Sequence, residues 1–236
     1  MDTMAPSDSD LAGAAFPSTQ WSRLVGGDAR SGLETLAQRY WRPVAAYVRT
    51  RWARTDEEAR DAAQEFFLWV LERDLLAKAD PTRGRFRGFI KTSLANFVHD
   101  LARRRRTAKR GGDRAFVPMD ATPLDLPDPG ASPDAVLDAA WRATLVEEAS
   151  AALERELVAA GKGEAFAVFR DYFLGEEELD HAALAARHGI SITDVSNRLA
   201  YAKRRYRQQL RRAVQETVED DDDLRAELAW LFEESA

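Results

Sequence analysis

Two stretches of the sequence concentrate side chains that can bind a polyanion. Residues 103–114 hold seven bases and one acid, and residues 198–212 hold seven bases and no acid. Hydroxyl and amide side chains, which can hydrogen-bond to base edges, stand at the start of the second stretch. The candidate DNA contacts in this second group are Thr193, Ser196, Asn197, Arg198, Lys203 and Arg204. Because Lys and Arg neutralise phosphates while Ser, Thr and Asn reach bases, the grouping indicates nucleic-acid binding.

The second group lies within LAARHGISITDVSNRLAYAKRRY (184–206), a pattern that predicts a helix-turn-helix. A small residue at the helix crossing, a turn glycine and a capping box are supplied by Ala185, Gly189, Ser191 and Asp194. Val195 and Leu199 are spaced to face the core, which turns the polar side chains outward. An ordinary helical hairpin with a charged solvent face is the alternative. The lack of acids after Asn197 favours DNA binding.

Catalytic and metal chemistry have weaker support. The chain has no cysteine, which excludes disulfides, thiolate zinc sites and a catalytic thiol. Its three histidines (His99, His181 and His188) form no HExxH or HxH pattern. The acidic run 220–223 can chelate a cation, so a metal-dependent nuclease stays an alternative, although such runs are usually solvated. We expect no enzymatic activity and no cofactor.

The elements that must position these residues are helical, because apolar residues recur at three- and four-residue steps and no strand alternation is convincing. The predicted helices cover 31–52, 55–72, 86–106, 135–160, 164–174, 178–188, 192–213 and 222–233. Residues 107–136 interrupt the pattern with adjacent glycines and five prolines, which predicts an extended linker. We therefore predict an all-α protein with two helical domains.

The predicted organisation has five parts. They are a flexible lead (1–19), a first domain (20–106), the Pro-rich linker (107–136), a helix-turn-helix domain (137–213) and an acidic tail (214–236). No run approaches the roughly 18 apolar residues of a membrane span, and the N-terminus lacks the apolar core of a signal peptide. We expect a cytoplasmic protein.

The tail carries most of the negative charge. Residues 216–236 contain nine acids and one base, net −8, so the chain's net charge of −6 leaves +2 for residues 1–215. An apolar stripe of a short amphipathic helix is formed by Leu224, Leu228, Leu231 and Phe232. We expect this helix to dock on the basic face at 198–212 as a lid that competes with DNA. The alternative is that it packs beside the domain and its acids aid solubility.

Three segments, in this order, resemble the motifs of bacterial extracytoplasmic-function sigma factors. EARDAAQEFFLWVLE (58–72) resembles the family's polymerase-binding helix, DAEDLxQExF, with Arg60 reversing the charge at its third position. FRGFIKTSLANFVHDLARRRR (86–106) resembles the helix that melts and reads the −10 element, with Asn96 and Asp100 matching the family's Asn and Asp. Residues 184–210 resemble the −35-reading helix-turn-helix. The resemblance covers about 20–213.

The resemblance implies a factor that binds core RNA polymerase and directs promoter-specific initiation. It implies polymerase contacts by Glu58, Asp61, Gln64, Glu65 and Leu68. It implies −10 DNA contacts by Arg85, Arg87, Lys91, Asn96, Arg103 and Arg104. The opening STQWSRL, the FF pair and the acidic tail resemble a subgroup encoded near Ser/Thr protein kinases, so a kinase or a separate anti-sigma factor is a further expected partner.

A stand-alone helix-turn-helix repressor is the alternative function. It accounts for the second domain but leaves unexplained the six consecutive apolar residues at 66–71. A helix cannot bury all six against one small domain, so some are expected to meet a partner protein.

Overall fold

The computed structural model describes residues 29–53, 55–78, 86–108, 131–175, 177–218 and 220–233, with side chains from residue 37 onward except 105–108 and 233. Within these residues the chain forms eight α-helices and no strand, which confirms the all-α prediction. The helices are α1 (Ala29–Arg51), α2 (Asp56–Glu72), α3 (Phe86–Ala108), α4 (Pro133–Ala159), α5 (Gly163–Phe173), α6 (His181–His188), α7 (Ile192–Gln215) and α8 (Asp221–Glu233). The lead, the STQWSRL segment, Arg85 and most of the Pro-rich linker lie outside the described residues.

Side chains just before the helices fix where several of them begin. Thr55 Oγ1 accepts a hydrogen bond from the Glu58 amide at 3.1 Å and so caps α2. The Ser132 hydroxyl caps α4 through the Ala135 amide, also at 3.1 Å. Each cap satisfies an amide that has no partner inside its helix, and is worth about 1 kcal/mol. The predicted starts of these helices are therefore confirmed to within a few residues.

The first three helices share an apolar core. Six residues of α2, which recur at three- and four-residue steps and so share one side of the helix, are all buried: Ala59, Ala62, Ala63, Phe66, Phe67 and Val70. They pack with Val44 and Val48 of α1 and with Ile90 and Phe97 of α3. Burying each large apolar side chain contributes about 1.5–3 kcal/mol, so this stripe is what holds α2 in place.

The same core continues from the first three helices into α4, α7 and α8. The Tyr40 ring of α1 stacks on Trp141 of α4 with 4.3 Å between ring centroids. Beside it, Arg39 Nη2 lies 2.8 Å from Glu148 Oε2 and 2.6 Å from Glu216 Oε2. These contacts bring α1 against α4 and the end of α7. The predicted division into domains at 20–106 and 137–213 stays a prediction.

None of the helices in the described ranges is both long enough and apolar enough to cross a bilayer.

Candidate nucleic-acid interface

The turn between α6 and α7 is built by three short-range features. Asp180 Oδ1 caps α6 by accepting a hydrogen bond from the Ala183 amide at 2.7 Å. Gly189 ends α6 at φ 63° and ψ 35°, and the Ile190 amide then donates to the Ala185 carbonyl at 3.1 Å. Because a residue with a Cβ pays about 1–2 kcal/mol in this left-handed conformation, glycine suits the position. The turn glycine predicted from the sequence is therefore confirmed.

The start of α7 is held by the predicted capping box. Ser191 Oγ accepts from the Asp194 amide at 3.0 Å, and Asp194 Oδ2 accepts from the Ser191 amide at 3.3 Å. Hydrogen bonds from the Ser191 hydroxyl and amide also lower the pKa of Asp194, which favours its charged form at the positive end of the helix dipole. Val195, the next residue, and Leu199, one turn farther on, are buried against Leu184.

The buried stripe turns the other side of α7 to solvent. Thr193, Ser196, Asn197 and Arg204 are all exposed there. Ser196 donates to the Ile192 carbonyl at 3.1 Å, and its Oγ also lies 3.3 Å from His181 Nδ1. The hydroxyl and amide side chains named from the sequence thus lie on one exposed surface, which is called the α7 face below.

Two predicted −35 residues lie at the side of the α7 face, toward α5. Arg198 Nη1 is 2.7 Å from Glu164 Oε2, and the Arg198 side chain is 28% exposed. Lys203 Nζ lies 4.7 Å from the ring centroid of Phe173. Both cations therefore contact side chains of α5, whereas the Asn197 side chain is exposed to solvent.

A second cluster joins α3 to α4 and α8. Arg87 Nη1 donates to Asp138 Oδ1 at 2.8 Å, and Lys91 Nζ donates to Asp138 Oδ2 at 2.7 Å. Arg87 also contacts Glu227 of α8, and its own side chain is only 14% exposed. Burial alone would lower the pKa of Arg87, but its hydrogen bond to Asp138 and the charges of Glu227 and Asp138 outweigh burial and raise it. Arg87 therefore stays charged.

The other predicted −10 residues lie farther along α3. Asn96 is exposed, and so is Arg103, whose Nη2 lies 3.5 Å from Asp100 Oδ1. The Arg104 guanidinium forms an ion pair with Glu65 of α2. The structure thus brings a predicted DNA contact and a predicted polymerase contact together across α2 and α3.

The predicted polymerase-binding residues of α2 form an acidic face with an apolar end. Asp61 is exposed, while Glu58, Gln64 and Glu65 are half-buried. Leu68 is 40% exposed. Leu71 is 38% exposed, so the prediction that the 66–71 run is not fully buried is confirmed.

The tail helix docks beside α7, and its charged and aromatic side chains also reach α3 and α4, which the lid prediction did not include. Asp221 Oδ1 lies 3.9 Å from Arg211 Nη2 of the basic face. Glu227 instead pairs with Arg87, and Trp230 lies against Arg87 and Arg142. Leu224 and Leu231 are buried as expected, whereas Phe232 is 54% exposed.

Sequence reasoning missed Glu227 and Trp230 as contacts of the candidate interface. A signal was present, because Glu227 stands between Leu224 and Leu228 on the apolar stripe of α8. A carboxylate on a buried stripe requires a charged or hydrogen-bonding partner. The sequence could not say which of the chain's 34 bases provides it.

Among the described residues, no three His, Cys, Asp or Glu side chains converge in a way that could hold a metal ion. The acidic run 220–223 instead caps α8, where Asp220 Oδ1 accepts a hydrogen bond from the Asp223 amide at 2.8 Å.

Comparison of the chain with family models, curated proteins and solved structures finds no match. The residues and their geometry therefore carry the functional argument.

Proposed function

We propose that the chain is a sigma factor, which binds core RNA polymerase and directs initiation by reading the −35 duplex and capturing bases of the −10 element. The observation that carries the proposal is the α7 face, where Thr193, Asn197 and Arg204 are exposed above the buried Val195 and Leu199. A helix with this arrangement, entered from a tight glycine turn, suits insertion into the major groove.

Within that groove, different side chains are proposed to contact the bases and the phosphates. Asn197 lies in the second turn of α7, where an amide can pair with the edge of a base. Arg204 lies two turns farther on and suits a backbone phosphate. The Ser191–Asp194 capping box fixes the end of α7 that enters first, so these side chains keep one register with the DNA.

The α2 face supports binding to polymerase. Asp61, Glu65 and Leu68 recur at four- and three-residue steps and so share one side of α2. An exposed leucine beside carboxylates suits a basic partner surface with an apolar pocket. A stand-alone repressor does not need this face.

The polar and basic residues along α3 support capture of the −10 element. Asn96 and Arg103 are exposed on α3, where a polar side chain can hold an unstacked base and a guanidinium can follow the backbone. Arg87, Lys91 and Arg104, the other candidates described on this helix, pair with carboxylates and would have to exchange those partners for DNA. The proposed activity is binding and strand capture, with no covalent chemistry by this chain.

The test is binding of the purified chain to core RNA polymerase, measured with Leu68→Asp and with Val158→Asp as a matched control. Val158 is 60% exposed near the end of α4 and is not among the proposed polymerase contacts, so both variants place a carboxylate on an exposed apolar site. We expect Leu68→Asp to weaken binding by about tenfold or more, as for a central interface residue, and Val158→Asp to bind normally. A folded chain that fails to bind core polymerase, yet still binds duplex DNA specifically, would instead be a repressor.

A further inference from the structure

Two residues of α8 occupy the part of α3 that the proposed function assigns to −10 DNA. Glu227 is 5% exposed, and its two carboxylate oxygens lie 3.2 Å from Arg87 Nε and 3.3 Å from Arg87 Nη2. One turn along α8, the Trp230 ring centroid lies 3.8 Å from Arg87 Cζ. A single guanidinium therefore has a carboxylate at its edge and an aromatic ring on its face.

The chemistry of these two contacts is that of a nucleotide. The fork of a guanidinium donates two parallel hydrogen bonds to a phosphate in the same way as to a carboxylate. The flat surface of a guanidinium stacks on a base much as it stacks on an indole. Trp230 is also 4.5 Å from Arg142 Cζ of α4, so two cations flank the ring. Glu227 and Trp230 thus present the charge and the ring of one nucleotide to α3.

We infer that α8 is an internal substitute for single-stranded DNA, which occupies Arg87 until −10 DNA replaces it. This inference rests on the proposed function for the role of the DNA, but the contact itself is in the structure. It differs from a lid over the basic face at 198–212, because the cations that Trp230 contacts, Arg87 and Arg142, belong to α3 and α4.

The way α8 is attached makes the exchange reversible. Leu224 and Leu231 are buried in the shared core, whereas Asp221, Asp222 and Phe232 are exposed. Only residues 216–220 separate α8 from α7, so the displaced helix stays close and competes at high effective concentration. The apparent affinity for DNA would therefore be the intrinsic affinity multiplied by the fraction of molecules in which α8 has left Arg87.

Asp138 orients the Arg87 guanidinium, which the DNA would contact in place of Glu227. Asp138 Oδ1 lies 2.8 Å from Arg87 Nη1, whereas Glu227 contacts Nε and Nη2, so the Asp138 contact does not depend on the Glu227 charge. A substitution at Glu227 therefore weakens the contact between α8 and Arg87 and leaves the Arg87 guanidinium oriented by Asp138.

The experiment uses the full chain and a fluorescently labelled single-stranded oligodeoxythymidine, with binding followed by anisotropy at low salt. Glu227→Gln is compared with Asp222→Asn, which removes the same charge from a side chain that is 88% exposed. We expect Glu227→Gln to bind about five- to tenfold more tightly, and Asp222→Asn to stay within about twofold of the unmutated chain. Equal affinities of all three folded chains, or equal gains in the two variants, would overturn the inference.

Amide hydrogen exchange on the unmutated chain gives a second test that needs no substitution. Adding the same oligonucleotide should speed exchange in α8 while it slows exchange in α3. Slower exchange in α3 with unchanged α8 would show that DNA binds without replacing the helix, and would overturn the inference.

The two proposals fail separately. A chain that drives promoter-specific transcription, but in which Glu227→Gln brings no gain, keeps the proposed function and loses the internal substitute. A chain in which Glu227→Gln brings the gain, but which never binds core polymerase, keeps the substitute as a brake on DNA binding and loses the sigma function.

Discussion

Gly189→Ala perturbs the turn that places α7, and the structure fixes the size of the effect. A Cβ added to Gly189 meets no atom within 4 Å, so steric overlap with neighbours contributes nothing. What remains is the left-handed backbone at φ 63°, which costs an alanine about 1–2 kcal/mol. Alanine also restricts the unfolded chain, which offsets about 0.4–1 kcal/mol of that cost. The net expectation is a loss of about 1 kcal/mol in the free energy of unfolding.

Gly88→Ala is the matched control, because a Cβ there also meets no atom within 4 Å. Gly88 lies in α3, where the backbone suits alanine, so this substitution should stabilise the chain by up to about 0.5–1 kcal/mol. The two glycine-to-alanine variants are therefore expected to move in opposite directions.

Urea unfolding followed by far-UV circular dichroism measures both variants against the unmutated chain. For a protein of this size, each kcal/mol corresponds to a shift of about 2–4 °C in thermal midpoint, so melting curves give a second reading. If Gly189→Ala were as stable as Gly88→Ala, α6 would not end in a left-handed residue, and the geometry of the turn would be wrong.

Three further predictions concern the α7 face, α2 and the core-facing side of α7. Asn197→Ala should lose about 1–3 kcal/mol at the preferred −35 sequence and relax the choice of base, whereas Arg204→Ala should weaken all sequences alike and reduce the salt slope by about one, both measured by anisotropy titrations. Arg60→Glu restores the acid of the sigma-factor motif and should raise affinity for core polymerase in competition with another sigma factor; equal or weaker competition would contradict this. The hydrogen bond from Arg205 lowers the pKa of Glu156 below its ordinary value of about 4.5. The charged carboxylate therefore stabilises the fold at pH values above about 4.5, and this stabilisation is lost as the pH falls through the lowered pKa. Glu156→Gln should therefore melt earlier than the unmutated chain at neutral pH and match it in acid.

The sequence was a good guide wherever the determining interactions are local. Six inward residues of α2 follow from a three- and four-residue period, because a helix returns to the same side at that spacing. The cap at Ser191 and the turn at Gly189 were equally predictable, since each depends on residues within a few positions of each other. These features fix the α7 face, so Thr193 and Asn197 could be placed in solvent before the fold was known.

Pairings between distant segments could not be predicted in this way. Arg87 and Glu227 are 140 residues apart, and nothing in their spacing links them. The opposite charges of the tail and of 198–212 favoured docking there, and α8 does contact α7, but charge alone could not predict the contact with Arg87. Glu227 lies on the apolar stripe of α8, and burying that stripe places its carboxylate beside the half-buried Arg87. Arg198 is a similar case, because its partner Glu164 belongs to another helix.

Run-off transcription on genomic DNA of the host, with core RNA polymerase and the purified chain, tests the central claim most directly. The account predicts transcripts with defined starts that appear only when the chain is added. It also predicts that Asn197→Ala reduces or redirects these starts while the variant still binds core polymerase. If the transcripts are the same with and without the folded chain, the proposal that it is a sigma factor is contradicted.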